Sequence, residues 1–167
     1  MTDQKDSKFR DAPEEVLAMA RELISKHHPH LTEANIKFQL RDGAWKSNGR
    51  TVYGKAAKVN DQMHIITGLD FIITLNGPEW TDFMTQAEKF AVLDHELCHC
   101  GQDGFHKGGS PKWCIWPHDT EDFAGIILRH GLWSNGLKLF KKAADRYEQL
   151  PLFDAGKVVQ MSAGGGR

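Results

Sequence analysis

Two histidines one helical turn apart, with a glutamate directly after the first, constrain this chain more than any other feature. His95-Glu96-Leu97-Cys98-His99 closes a segment, Thr85 to about Cys100, that reads as a helix. Thr85 and Glu88 have capping-box spacing, in which each side chain satisfies a free N–H of the first turn. Phe90, Leu93 and Leu97 give an apolar stripe, and Gly101 a stop. Residues four apart on a helix share a face, so His95 and His99 can reach one metal ion, with Glu96 beside them. Zinc with three protein ligands and an open position lowers the pKa of its water to about 7, and Glu96 is placed to take that proton. The alternative is a surface helix with two unrelated histidines. Cap, stripe and an upstream strand favour the metal site.

A third ligand is needed. The downstream candidates are His106, Cys114, His118, Glu121 and Asp122. His118 is favoured because it opens a helix expected over about 119–130, whereas His106 sits among glycines. Glu121 is its rival, or else the partner that orients it. Gly125 lies on the His118 side of that helix and suggests a close crossing. Cys98 is expected to be a small buried residue, and Cys100 is undecided. His130 fits a hydrogen-bonded core histidine or a helix C-cap. An oxyanion needs a stabilising group, for which Tyr53, His106 and Arg129 are candidates.

The remaining chain reads as an α+β fold. Pro13 opens a helix with Val16, Leu17, Ala20, Leu23 and Ile24 on one face, and His27, His28, Pro29 and His30 end it. Strand-like runs follow at 35–41, at 51–59 and most clearly at Phe71–Leu75, closed by Asn76-Gly77-Pro78. Gly54 interrupts the second run and marks a bulge or a close backbone approach. His64 beside this region reads as a surface or strand histidine. The expectation is a small, mostly antiparallel sheet. Residues 101–117 are expected as a long loop. Two helices close the fold: that over about 119–130, with Phe123, Ile126 and Ile127 buried, and another over about 134–148. The boundaries expected are a disordered tail at 1–12, a domain at 13–148 and a flexible tail at 149–167.

Composition excludes more than it assigns. Hydrophobic residues make up 40 % and charged residues 26 % of 167, ordinary for a globular protein. The net charge of −1 argues against strong direct nucleic-acid or membrane binding by bulk electrostatics. No apolar run approaches the ~20 residues of a membrane helix, and the polar N-terminus lacks a signal-peptide core. A cytoplasmic setting is expected. The three cysteines do not form a disulfide framework.

Leu93-Asp94-His95-Glu96-Leu97-Cys98-His99-Cys100, then Pro117-His118-Asp119-Thr120-Glu121-Asp122-Phe123 and Arg129-His130-Gly131-Leu132-Trp133, resemble the putative phage metallopeptidase family. They are more distantly similar to SprT-like proteases. The resemblance covers roughly residues 13–146. It implies a compact zincin fold, one zinc per chain held by His95, His99 and His118, Glu96 as general base, and protein or peptide substrates. The chain lacks the cysteine-rich second zinc module of many SprT-like proteins, so DNA-dependent activation is not implied. A repressor-cleaving protease and a catalytically idle, zinc-stabilised interaction module are the alternatives. Finally, Gln149-Leu150-Pro151-Leu152-Phe153 resembles the peptide that docks bacterial proteins on the DNA sliding clamp, with Gln149, Leu150, Leu152 and Phe153 as contacts. Its rival is a tail that folds back on the domain.

Overall fold

The computed structural model describes residues 7–149 and divides into two compact units, Met1–Trp116 and Pro117–Arg167. In the first, β1 (Phe9–Asp11) precedes α1 (Glu14–His27). A single 3-10 turn at Pro29–Leu31 leads to β2 (Ile36–Arg41) and a short hairpin, β3 (Lys46–Ser47) with β4 (Arg50–Thr51). Then come β5 (Gly54–Lys58), α2 (Asp61–Thr67), β6 (Phe71–Asn76), a π-helical turn at Glu79–Phe83, and α3 (Gln86–His99). A second hairpin, β7 (Cys100–Phe105) and β8 (Pro111–Ile115), ends the unit.

The main sheet has the order β1-β2-β6-β5. β1 and β5 pair antiparallel with their neighbours, and β2 and β6 run parallel. Phe71, Ile73 and Leu75 of β6 and Leu40 of β2 are fully buried. They meet Val16, Met19, Ala20 and Leu23 of α1 and Leu93 and Leu97 of α3 in one core. β6 lies inside the sheet and β5 at its edge, so one side of the strand that follows the β3–β4 hairpin has no strand paired to it in this sheet. Among the described residues, no helix is long and apolar enough to cross a membrane.

Several local expectations are corrected. Phe9–Asp11, placed in a disordered tail, form an edge strand in register with Gln39–Arg41. Residues 101–117 are mostly a hairpin: β7 and β8 pair antiparallel, and the turn is closed by His106 and Ser110 with Gly109 at φ +83°. Six residues, too few for a clear period, hide such a strand when two of them are glycine. α2 was missed, although Asn60 caps it by accepting from Met63 N and Gly68 ends it in the left-handed region.

The second unit holds α4 (Ala124–His130) and α5 (Asn135–Glu148). α4 starts later than expected. Phe123 is its N-cap with extended backbone, and Asp122 accepts from Phe123 N and from Trp133 Nε1 instead of capping an earlier turn. His118 therefore lies in irregular chain ahead of α4, not at a helix start. The nearest atoms to a side chain built at Gly125 belong to Arg129 of the same helix, so that glycine is spaced for its own helix. α5 is capped by Ser134, and Gln149 is its C-cap. Leu150, Leu152 and Phe153 lie outside the described residues.

Candidate metal centre

α3 carries the central residues, and its start is tightly fixed. Thr85 Oγ1 accepts from Glu88 N, while Glu88 Oε2 accepts from Thr85 N at 2.8 Å. The Thr85 backbone N–H and the Thr85 hydroxyl, both donating to Glu88 Oε2, hold the Glu88 carboxylate below its ordinary pKa. Leu93 and Leu97 face the core with no exposure, which turns the histidine side of the helix outward. The imidazoles of His95 and His99 stand edge to face, ring centroids 5.0 Å apart.

His99 is oriented by the hairpin. Its Nδ1 donates to the Trp116 carbonyl at 2.7 Å, and Trp116 N donates to the His99 carbonyl at 2.8 Å. The pair extends the β7–β8 ladder by one residue beyond Cys100 and Ile115. A carbonyl only accepts, so the ring proton sits on Nδ1 and the lone pair on Nε2, the arrangement typical of a metal-ligating histidine. Trp116 is itself held: its ring lies over Gly101, where a Cβ would collide with it, and it packs at 5.4 Å on His30. His30 Nε2 donates to the Cys100 carbonyl. Gly101, expected as a helix stop, thus serves as the floor under Trp116.

Glu96 is only 5 % exposed. Its carboxylate lies directly against Gly54, the first residue of β5: a Cβ there would sit 2.7 Å from Oε1 and 2.9 Å from Cγ. The close approach expected at Gly54 is real, and its partner is Glu96. Tyr53, Gly54, Ala91, Val92, His95 and Glu96 line one open cavity of about 360 Å3. Of the oxyanion candidates, Tyr53 shares this cavity. His106 instead lines a separate, larger cavity of about 470 Å3 with Lys58, His64, Asp70 and Trp113. Arg129 lies along α4.

Within the second unit, His118 Nδ1 donates to Glu121 Oε1 at 2.7 Å. The proton again sits on Nδ1 and the lone pair on Nε2. Glu121 is thereby engaged with His118 itself.

Of the cysteines, Cys98 departs from its expected burial, and Cys100 had no expected place. Cys98 is exposed and Cys100 buried. Cys98 follows His95 by three residues and Asp94 by four, and so shares their side of α3. Cys100 leaves the helix into β7 and enters the core, where burial, with Glu96 and Cys98 nearby, pushes its thiol up to about 12.

Two outward imidazoles on one turn, one with its proton fixed on Nδ1, and a buried carboxylate seated beside them fit a divalent metal. No match was found among curated proteins or solved structures. The model of the family described as putative phage metallopeptidase matches residues 7–145. With most of its length matched and a metal-compatible residue set on α3, the chain belongs to this phage metallopeptidase family.

Proposed function

We propose that the chain is a zinc-dependent endopeptidase in which His95, His99 and His118 hold the metal and Glu96 is the general base. The seating of Glu96 against Gly54, in the same cavity as His95, carries this reading. A structural zinc site has no use for a buried carboxylate beside an open cavity, since such sites are closed by four ligands. His118 as third ligand is supported by chain length. Trp116 is tied to His99, and two residues of chain span at most about 7 Å. Its Nδ1 proton, given to Glu121, presents Nε2 as the ligand atom.

Zinc held there supplies a Lewis acid for the scissile carbonyl and its attacking water. Glu96 accepts the proton of the attacking water and passes it to the departing amine. Its fixed seat keeps the carboxylate within reach without reorganisation. Tyr53, about half exposed at the rim of the cavity, donates its phenolic O–H to the developing oxyanion. Tyr53 and Gly54, at the start of the edge strand β5, border the cavity, and an extended peptide laid at that strand edge is the substrate proposed.

Glu96→Gln preserves size and removes the base. It should keep about one zinc per chain at this site and lower peptide hydrolysis by at least about 100-fold, measured on casein or a quenched peptide library. Hydrolysis at the wild-type rate would end the assignment of Glu96.

A further inference from the structure

α3 bears a second set of donors that the peptidase chemistry does not use. Asp94 and Cys98 are, like His95 and His99, one turn apart, offset by one residue along the helix. His28, at the C-cap of α1, points at them. Its Nε2 lies 2.6 Å from Asp94 Oδ1, and its side chain is 7 % exposed. One donor atom from each of His28, Asp94 and Cys98 lies within 4.8 Å of the other two. We propose that His28, Asp94 and Cys98 form a second divalent-cation site, of a composition suited to zinc and separate from His95 and His99.

Geometry and chemistry both bear on this. Tetrahedral zinc with bonds of about 2.0–2.3 Å to N, O and S sets its ligand atoms roughly 3.3–3.6 Å apart. The donors already lie near that spacing: the His28–Asp94 contact, 2.6 Å, has to open by under about 1 Å, and the Cys98 donor atom, within 4.8 Å of the other two, has to close by no more than roughly 1.5 Å. Imidazole, carboxylate and thiolate together match zinc, whereas calcium and magnesium take oxygen donors. The exposure of this cysteine is informative because reduced cysteine is among the most buried residue types. Cys98 is exposed, so it is not there to fill the core, and it stands one turn from a carboxylate already paired with a buried histidine. Without metal, His28 Nε2–H donates to Asp94. With metal, that proton and the thiol proton leave as the ion takes both positions. α1 and α3 are packed elements of the same core, so such an ion ties two helices together and leaves its fourth position to solvent through Cys98.

The test uses the full chain, stripped with chelator and titrated with zinc chloride and, separately, cobalt chloride. Wild type should take up about two equivalents of zinc, and its cobalt form should show near-ultraviolet thiolate-to-cobalt absorption. Cys98→Ser, a change at an exposed position, should lose that absorption and fall to about one equivalent. His28→Gln should do the same. His95→Ala with His99→Ala should keep the absorption and lose the other equivalent. The proposal is overturned if wild type and Cys98→Ser give the same stoichiometry and cobalt spectrum. It is also overturned if the absorption vanishes in the double histidine variant, which would assign the thiolate to the first site. Failure of the His95–His99 assignment reads differently: the double variant would then lose no zinc.

Discussion

At Gly54 the missing side chain gives Glu96 its place. The backbone there has an ordinary negative φ, so the requirement is one of space and not of conformation. Gly54→Ala should push the carboxylate off its seat while leaving His95 and His99 untouched. Hydrolysis should fall by about 10–100-fold, as expected when a catalytic group is displaced by about 1 Å, with zinc content unchanged by metal analysis. Unchanged activity would mean that Glu96 has another productive rotamer. From sequence, Gly54 could be marked as a bulge or a close approach. Glu96 could be marked as a base from its place between two histidines. That the two touch could not be read, because periodicity describes elements and not the contacts between a strand and a helix distant along the chain. Cys98 differs from its expected burial for a related reason. Whether residue 98 or residue 100 enters the core depends on the residue at which helix gives way to strand, and that boundary is set by the hairpin.

The β7–β8 hairpin is the element on which the metal centre leans. Its first residue continues α3, its last leads to Trp116, and Trp116 binds His99 through two hydrogen bonds. Gly101→Ala should therefore act on the metal without touching a ligand. A Cβ displaces the Trp116 ring, the carbonyl moves with the backbone, and His99 loses its orienting partner. Zinc affinity should drop by roughly 10–100-fold, the usual cost of losing such a partner, as read by competition with a chromogenic chelator. Full affinity in Gly101→Ala would show that Trp116 tilts away with its carbonyl in place. The α3 helix itself was legible, because capping box, apolar stripe and histidine spacing all agree. The hairpin was not, since its glycines resemble those of a loop. α2 had clear signals in Asn60 and Gly68 but is too short for periodicity to announce it.

For the whole molecule, the α+β class and the parts of the sheet followed from the alternation of helical and strand-like runs. The division after Trp116 did not, as no Gly- or Pro-rich linker marks it beyond Pro117. The proposed third ligand stands just past that division, which makes its variants decisive. His118→Ala should weaken zinc far more than Glu121→Ala, for which about 10–100-fold is expected of an orienting partner. The opposite order, by calorimetric titration, would make Glu121 the ligand. The doubled link between His99 and Trp116 also bears on the order of events as the chain folds. The His99 imidazole gains its orienting partner only after residues 100–115 have closed on themselves, so full ion affinity is expected to follow closure of the hairpin. Zinc present during refolding should leave the folding rate unchanged and slow unfolding alone, the pattern for interactions absent from the transition state. Stopped-flow fluorescence of the tryptophans, with zinc or with chelator, would expose the reverse order as faster refolding in zinc.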